Sequence, residues 1–147
     1  MPNEALAKVL EERKGGTWFV PEPLDARALQ KLAKAEGFAF FHIDGRKINR
    51  KEQLMNAAAT AMSFPEHFGN NWDALEECLT DLEWVDADGY VLFYDHVDGL
   101  LSTHPDQFET LLEILKDAVD AWKADGEPMV VLLSGTKPPK GVAKLKE

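Results

Sequence analysis

Three runs of residues limit what this chain can fold into more than any other feature. Phe38-Ala-Phe-Phe-His-Ile43, Tyr90-Val-Leu-Phe-Tyr94 and Met129-Val-Val-Leu-Leu133 are apolar almost from end to end. A strand with one wet face alternates apolar and polar residues, whereas a strand covered on both faces reads as a continuous apolar run. Helical patterns separate the runs. Lys51 to Met62 carries alanines at 57, 58, 59 and 61, and Ser63 and Pro65 close it. Pro105 to Ala124 repeats Phe108, Leu111, Leu112, Leu115, Val119 and Trp122 on one stripe, and Gly126 stops it. Strands alternating with helices predict a small α/β domain whose three-stranded, mostly parallel sheet is packed with helices.

Residues 1–36 precede the first run. They hold a short amphipathic stretch, Ala5 to Arg13, then Thr17–Val20 as a candidate short strand, then a helical pattern from Leu24 to Glu36 that ends at Gly37. The expected organisation is an N-terminal extension over 1–36 packed on the core, able to add an edge strand, and a core domain over 37–136. Residues 137–147, with two prolines and four lysines, follow as a flexible basic tail.

Charge is unevenly spread. From Glu52 to Leu115 there is no lysine or arginine, yet these 64 residues carry 14 Asp and Glu. The remainder holds all 16 basic residues and 12 acids, so a strongly acidic block sits inside a mildly basic chain. Such a block projects negative potential and attracts a basic partner. The net charge of −10 argues against non-specific nucleic-acid binding and against anionic membrane surfaces. There is one cysteine, Cys78, so no internal disulfide or Cys/His metal spacing exists. The first residues lack the basic-then-apolar order of a signal peptide, and no apolar run reaches the ~18 residues of a spanning helix. The default expectation is a cytoplasmic location.

The acidic block centres on a helix. Asn71 is a good N-cap for Trp72 to Leu82, where Trp72, Leu75, Leu79 and Leu82 form one apolar stripe. Asp73, Glu76 and Glu77 share the opposite side, continued by Asp81. Asp73–Glu77 and Glu77–Asp81 are like-charge i,i+4 pairs, each costing about 0.2–0.5 kcal/mol. The preceding loop, His67-Phe68-Gly69-Asn70, sets aromatic and polar groups beside these acids, an interface composition.

The segment Phe64 to Leu82 resembles the signature of the barstar family, intracellular inhibitors of the ribonuclease barnase. The resemblance rests on Pro65, Glu66, His67, Phe68, Gly69, Asn71, Asp73, Ala74, Leu75, Glu77, Cys78, Leu79 and Thr80, and the order of elements extends it over roughly 37–136. It implies a non-enzymatic bacterial protein that places the loop and acidic helix in a basic nuclease cleft, with carboxylates where RNA phosphates would lie. By position it implies that Asp73 and Glu77 are the chief acids, with Glu76 and Asp81 beside them. His67, Phe68, Gly69 and Asn71 fall in the loop contact, and Asp117 on the long helix is a further contact. The family has Tyr at His67, Trp at Glu76, Asp at Glu77 and Trp at Leu82. The partner the resemblance implies is a basic extracellular-type ribonuclease or related toxin, and these departures count against barnase itself.

Two other classes compete. Asp73, Glu76, Glu77 and Asp81 could be imagined around Mg²⁺, but one exposed helix face cannot close a coordination shell. No nucleophile elbow or Gly-rich phosphate loop is present, so no enzyme, cofactor or metal is expected. The alternative is an acidic interaction or immunity module against a partner that is not a nuclease. Cys78 reads as a core residue and His42 as a structural one, while His96 and His104 lie in loops and carry no motif.

Overall fold

A computed structural model describes residues 2–21, 24–65 and 68–145. Its elements run α1 (Pro2–Glu11), β1 (Gly16–Val20), α2 (Ala26–Ala35), β2 (Phe38–Asp44), α3 (Lys51–Met62), α4 (Trp72–Asp81), β3 (Gly89–Asp95), α5 (Asp98–Thr103), α6 (Pro105–Ala124), β4 (Met129–Ser134) and β5 (Ala143–Lys144). The three apolar runs become β2, β3 and β4, adjacent and parallel.

The sheet has five strands among the described residues, ordered β2-β3-β4-β1-β5, and every pairing is parallel. This corrects the three-stranded expectation. β1 does not end the sheet either. It pairs with β4 from Gly16↔Val130 to Val20↔Ser134, and β5 pairs with its other side. Residues 141–145, within the basic tail read from the sequence, hold this edge. Leu145 N–H donates to the Phe19 carbonyl (2.9 Å) and Lys116 Nζ to the Gly141 carbonyl (2.8 Å).

Both faces of β2, β3 and β4 are covered, which is why these strands are apolar along most of their length. Phe41, Ile43, Tyr90, Leu92, Tyr94, Val131 and Leu133 pack under α3, α4, α5 and α6. Val20, Phe38, Val91, Phe93, Val130 and Leu132 pack under Leu6 and Leu10 of α1 and Leu29 and Ala33 of α2. Parallel strands need long crossovers, and here the crossover from β1 to β2 runs on one face while those from β2 to β3 and β3 to β4 run on the other. Arg13 ties the second layer down. Its guanidinium lies 5.0 Å from the Phe38 ring centroid, and Nη2 donates to the Asp88 carbonyl at 2.7 Å.

Candidate functional site: the acidic helix and its loop

Asn71 starts α4. Its backbone is extended (φ −133°, ψ 171°), and its side-chain oxygen accepts from Ala74 N–H at 2.8 Å. Leu75 and Leu79 are buried on the sheet side, and Leu82 closes the helix in a left-handed conformation, φ 43°. Leu82 is fully buried, so the apolar contact of this residue offsets a backbone conformation that L-residues rarely adopt. The indole N–H of Trp122 on α6 donates to the Leu79 carbonyl at 2.7 Å. That bond satisfies one of the last-turn carbonyls a helix leaves open and fixes α4 against α6.

Anchored this way, α4 presents Asp73, Glu77 and Asp81 to solvent. Glu76 departs from expectation: it is half-buried. It lies one turn after Trp72 and three residues before Leu79, which puts it on the flank of the apolar stripe. Among the described residues no ion pair engages any of these four carboxylates. Lys51, the last basic residue before the acidic block, has its Nζ 5.6 Å from the Trp72 ring centroid. Cys78, on the same helix, is half-buried. Burial pushes its thiol above the usual range, and the charges of Asp81 and Glu77 add to that.

The loop before α4 rests on an aromatic step. Phe68 packs on Phe64 with centroids 4.9 Å apart, and Phe64 meets Trp84 edge-on at 6.2 Å. The Trp84 indole N–H donates to the Met62 carbonyl at 2.9 Å. Gly69 and Asn70 are exposed beside it, and Asn70 takes φ 53°. Gly69 and Asn71 are linked by a long contact from Asn71 Nδ2 to the Gly69 carbonyl, 3.4 Å. Phe68, Gly69, Asn71, Asp73, Glu77 and Asp81 thus follow one another along one continuous segment. His67 lies outside the described residues. Asp117 is exposed on α6, and no hydrogen bond or ion pair joins it to α4 among the described residues. Trp84 and Phe64 were not read as site residues from the sequence. The signal was present in two aromatics, one before and one after the helix, but their meeting depends on the loop's path.

Two sequence comparisons agree on one family. Residues 38–134 match the model described as Barstar (barnase inhibitor). A curated Bacillus subtilis (strain 168) protein, named "Putative ribonuclease inhibitor YrdF", is 30% identical over 83 residues, 55% of this chain and 86% of its own length. Among solved structures, the ORC2 protein of Aeropyrum pernix aligns with TM-score 0.63 at 14% identity, over 92% of this chain and 40% of that one. CDC6P of Pyrobaculum aerophilum aligns at 0.59 and 17% identity, over 92% and 38%. The chain spans well under half of those two proteins, and at such identity the similarity is one of fold. Among the described residues no helix is long and apolar enough to cross a membrane.

Proposed function

The chain belongs to the barstar family, and on that premise we propose that it inhibits a basic ribonuclease by inserting α4 and its preceding loop into the active-site cleft. One observation carries this reading: Asp73, Glu77 and Asp81 line one exposed side of a firmly anchored helix without a cationic partner among the described residues. Like charges kept together at a cost in helix stability are what a cationic cleft would neutralise. Asp73 and Glu77 supply the main contacts in this reading. Glu76 contributes from the flank, Phe68, Gly69 and Asn71 supply the loop contact with His67, and Asp117 adds a peripheral charge. The acids elsewhere in the block, Asp86 and Asp88 among them, act at a distance by steering. Residues 37–136 form the inhibitory domain, 1–36 its covering extension and 137–147 its basic tail.

The Aeropyrum pernix structure is described as ADPNP–ADP complexes. Nothing in this sequence supports a nucleotide reading, because it contains no G-x-x-x-x-G-K-[ST] run to cradle phosphates.

The test is an inhibition titration against a panel of basic secreted ribonucleases. At least one should be inhibited at one-to-one stoichiometry, with an association rate that falls steeply as salt rises from tens to hundreds of millimolar. Absence of inhibition across the panel, together with capture of a partner lacking nuclease activity, would favour the acidic interaction module instead.

A further inference from the structure

The side of the sheet away from α4 carries donor groups that the inhibitory reading does not use. Side chains alternate along a strand, so His42 and Asp44 leave β2 on the face of Phe38, and Asp95 leaves β3 on the face of Phe93. The parallel register sets Asp44 opposite Asp95. His96 follows at once with φ 50°, a left-handed backbone that turns its ring toward Asp95. One donor atom from each of Asp44, Asp95 and His96 then falls within 4.8 Å of the others.

We propose that Asp44, Asp95 and His96 form a binding site for one first-row divalent metal ion of the zinc or manganese type. Two carboxylates and one imidazole, drawn from two strand ends, are a mixed oxygen and nitrogen donor set suited to such ions. Asp95 is fixed in place by three contacts. Its Oδ2 meets His42 Nε2 at 2.8 Å, and its Oδ1 accepts from Gly45 N–H at 3.0 Å and faces His96 Nδ1 at 3.0 Å. His42 is in turn stacked on Phe93, centroids 5.1 Å apart and planes 16° apart. Such outer contacts fix ligand orientation and commonly change metal affinity by about 10–100-fold.

Location is a second and independent argument. Asp95 and His96 open onto a crevice of about 440 Å³, closed by Pro21 and Leu24 after β1 and by Ser134 and Thr136 at the end of β4. It lies outside the carboxyl ends of parallel strands, where the connection leaving β1 and the connection leaving β3 diverge to opposite faces. Ligands of open α/β sheets settle at such switch points. No lysine or arginine is among the described residues that line it, so the crevice suits a cation rather than a phosphate; Asp98 also lines it, with its oxygens accepting from Thr136 N–H and Oγ1–H at 3.0–3.1 Å. Arg46 is the competitor. Its guanidinium holds Asp44 through Nε at 3.0 Å and Nη2 at 2.6 Å, but the side chain is 70% exposed and can swing away.

Calorimetric titration of zinc chloride into the full chain tests this. One ion should bind per chain. His96→Gln, at an exposed position, should abolish the binding, Asp44→Asn should weaken it by about tenfold or more, and Arg46→Ala should tighten it by freeing Asp44. Asp120→Asn, an exposed acid on α6, should leave it unchanged. With manganese chloride, amide resonances of residues 44, 95 and 96 should broaden first. No binding by the parent chain, full binding by a folded His96→Gln variant, or broadening centred on the acids of α4 would each overturn the proposal.

Discussion

The two faces of the sheet are covered by different kinds of sequence. One face carries α3, α4 and α6, the aromatic step and the acidic helix, and these elements fall inside the family match over 38–134. The other is covered by α1 and α2, which lie wholly before that match. Yet the strands shared by both faces are equally apolar, so the second cover is as necessary to the sheet as the first. The acidic helix lies on one face, and the other face is covered by a layer that shields the same strands from water.

Removing residues 1–36 is the strongest way to break this comparison. It would bare Phe38, Val91, Phe93, Val130 and Leu132 together and delete β1 from between β4 and β5. Exposed apolar area of that extent drives association, so the truncated chain should aggregate or lose cooperative unfolding, as seen by size-exclusion chromatography and circular dichroism. A folded monomer would show that the extension is dispensable.

Point substitutions sharpen the comparison. Leu29→Ala on α2 and Leu79→Ala on α4 each remove a side chain about 1% exposed, and each should cost about 2–5 kcal/mol in denaturant unfolding. Only the second should also lower inhibition in excess of its effect on folding, because α4 itself would shift. Trp122→Phe removes the indole bond to the Leu79 carbonyl and should cost about 1–3 kcal/mol. The smallest effect concerns Cys78. Because burial and then the neighbouring acids raise its thiol, less thiolate exists at a given pH, and iodoacetamide should react more slowly than with free cysteine at pH 8. Glu77→Gln removes one of those acids and should speed the reaction modestly.

Much of the first face was legible in the sequence. A strand buried on both sides announces itself by composition, and the bounds of α3 and α6 match the spacing of their apolar residues and their breakers. The acids at 73, 77 and 81 were placed correctly by helical period alone. Glu76 was not, because a residue on the flank of a stripe is decided by how the helix is rotated against its neighbours. Strand order was equally hidden. Thr17–Val20 reads as a strand, but nothing local says that its partner is β4, more than a hundred residues on. β5, two residues long, and α5, six residues long, carry too few positions for a period to emerge. The grouping of Asp44 with Asp95 and His96 comes from strand register, which joins residues some fifty positions apart.

The central claim is that the acid row on α4 binds and does not fold the protein. The most direct measurement pairs thermal unfolding with ribonuclease inhibition for the double variant Asp73→Asn, Glu77→Gln. Removing like charges should leave the unfolding midpoint unchanged or slightly raised, while loss of desolvated charge pairs, worth about 2–5 kcal/mol each, should weaken inhibition by at least about a hundredfold. A folded double variant that inhibits as well as the parent chain would contradict the account.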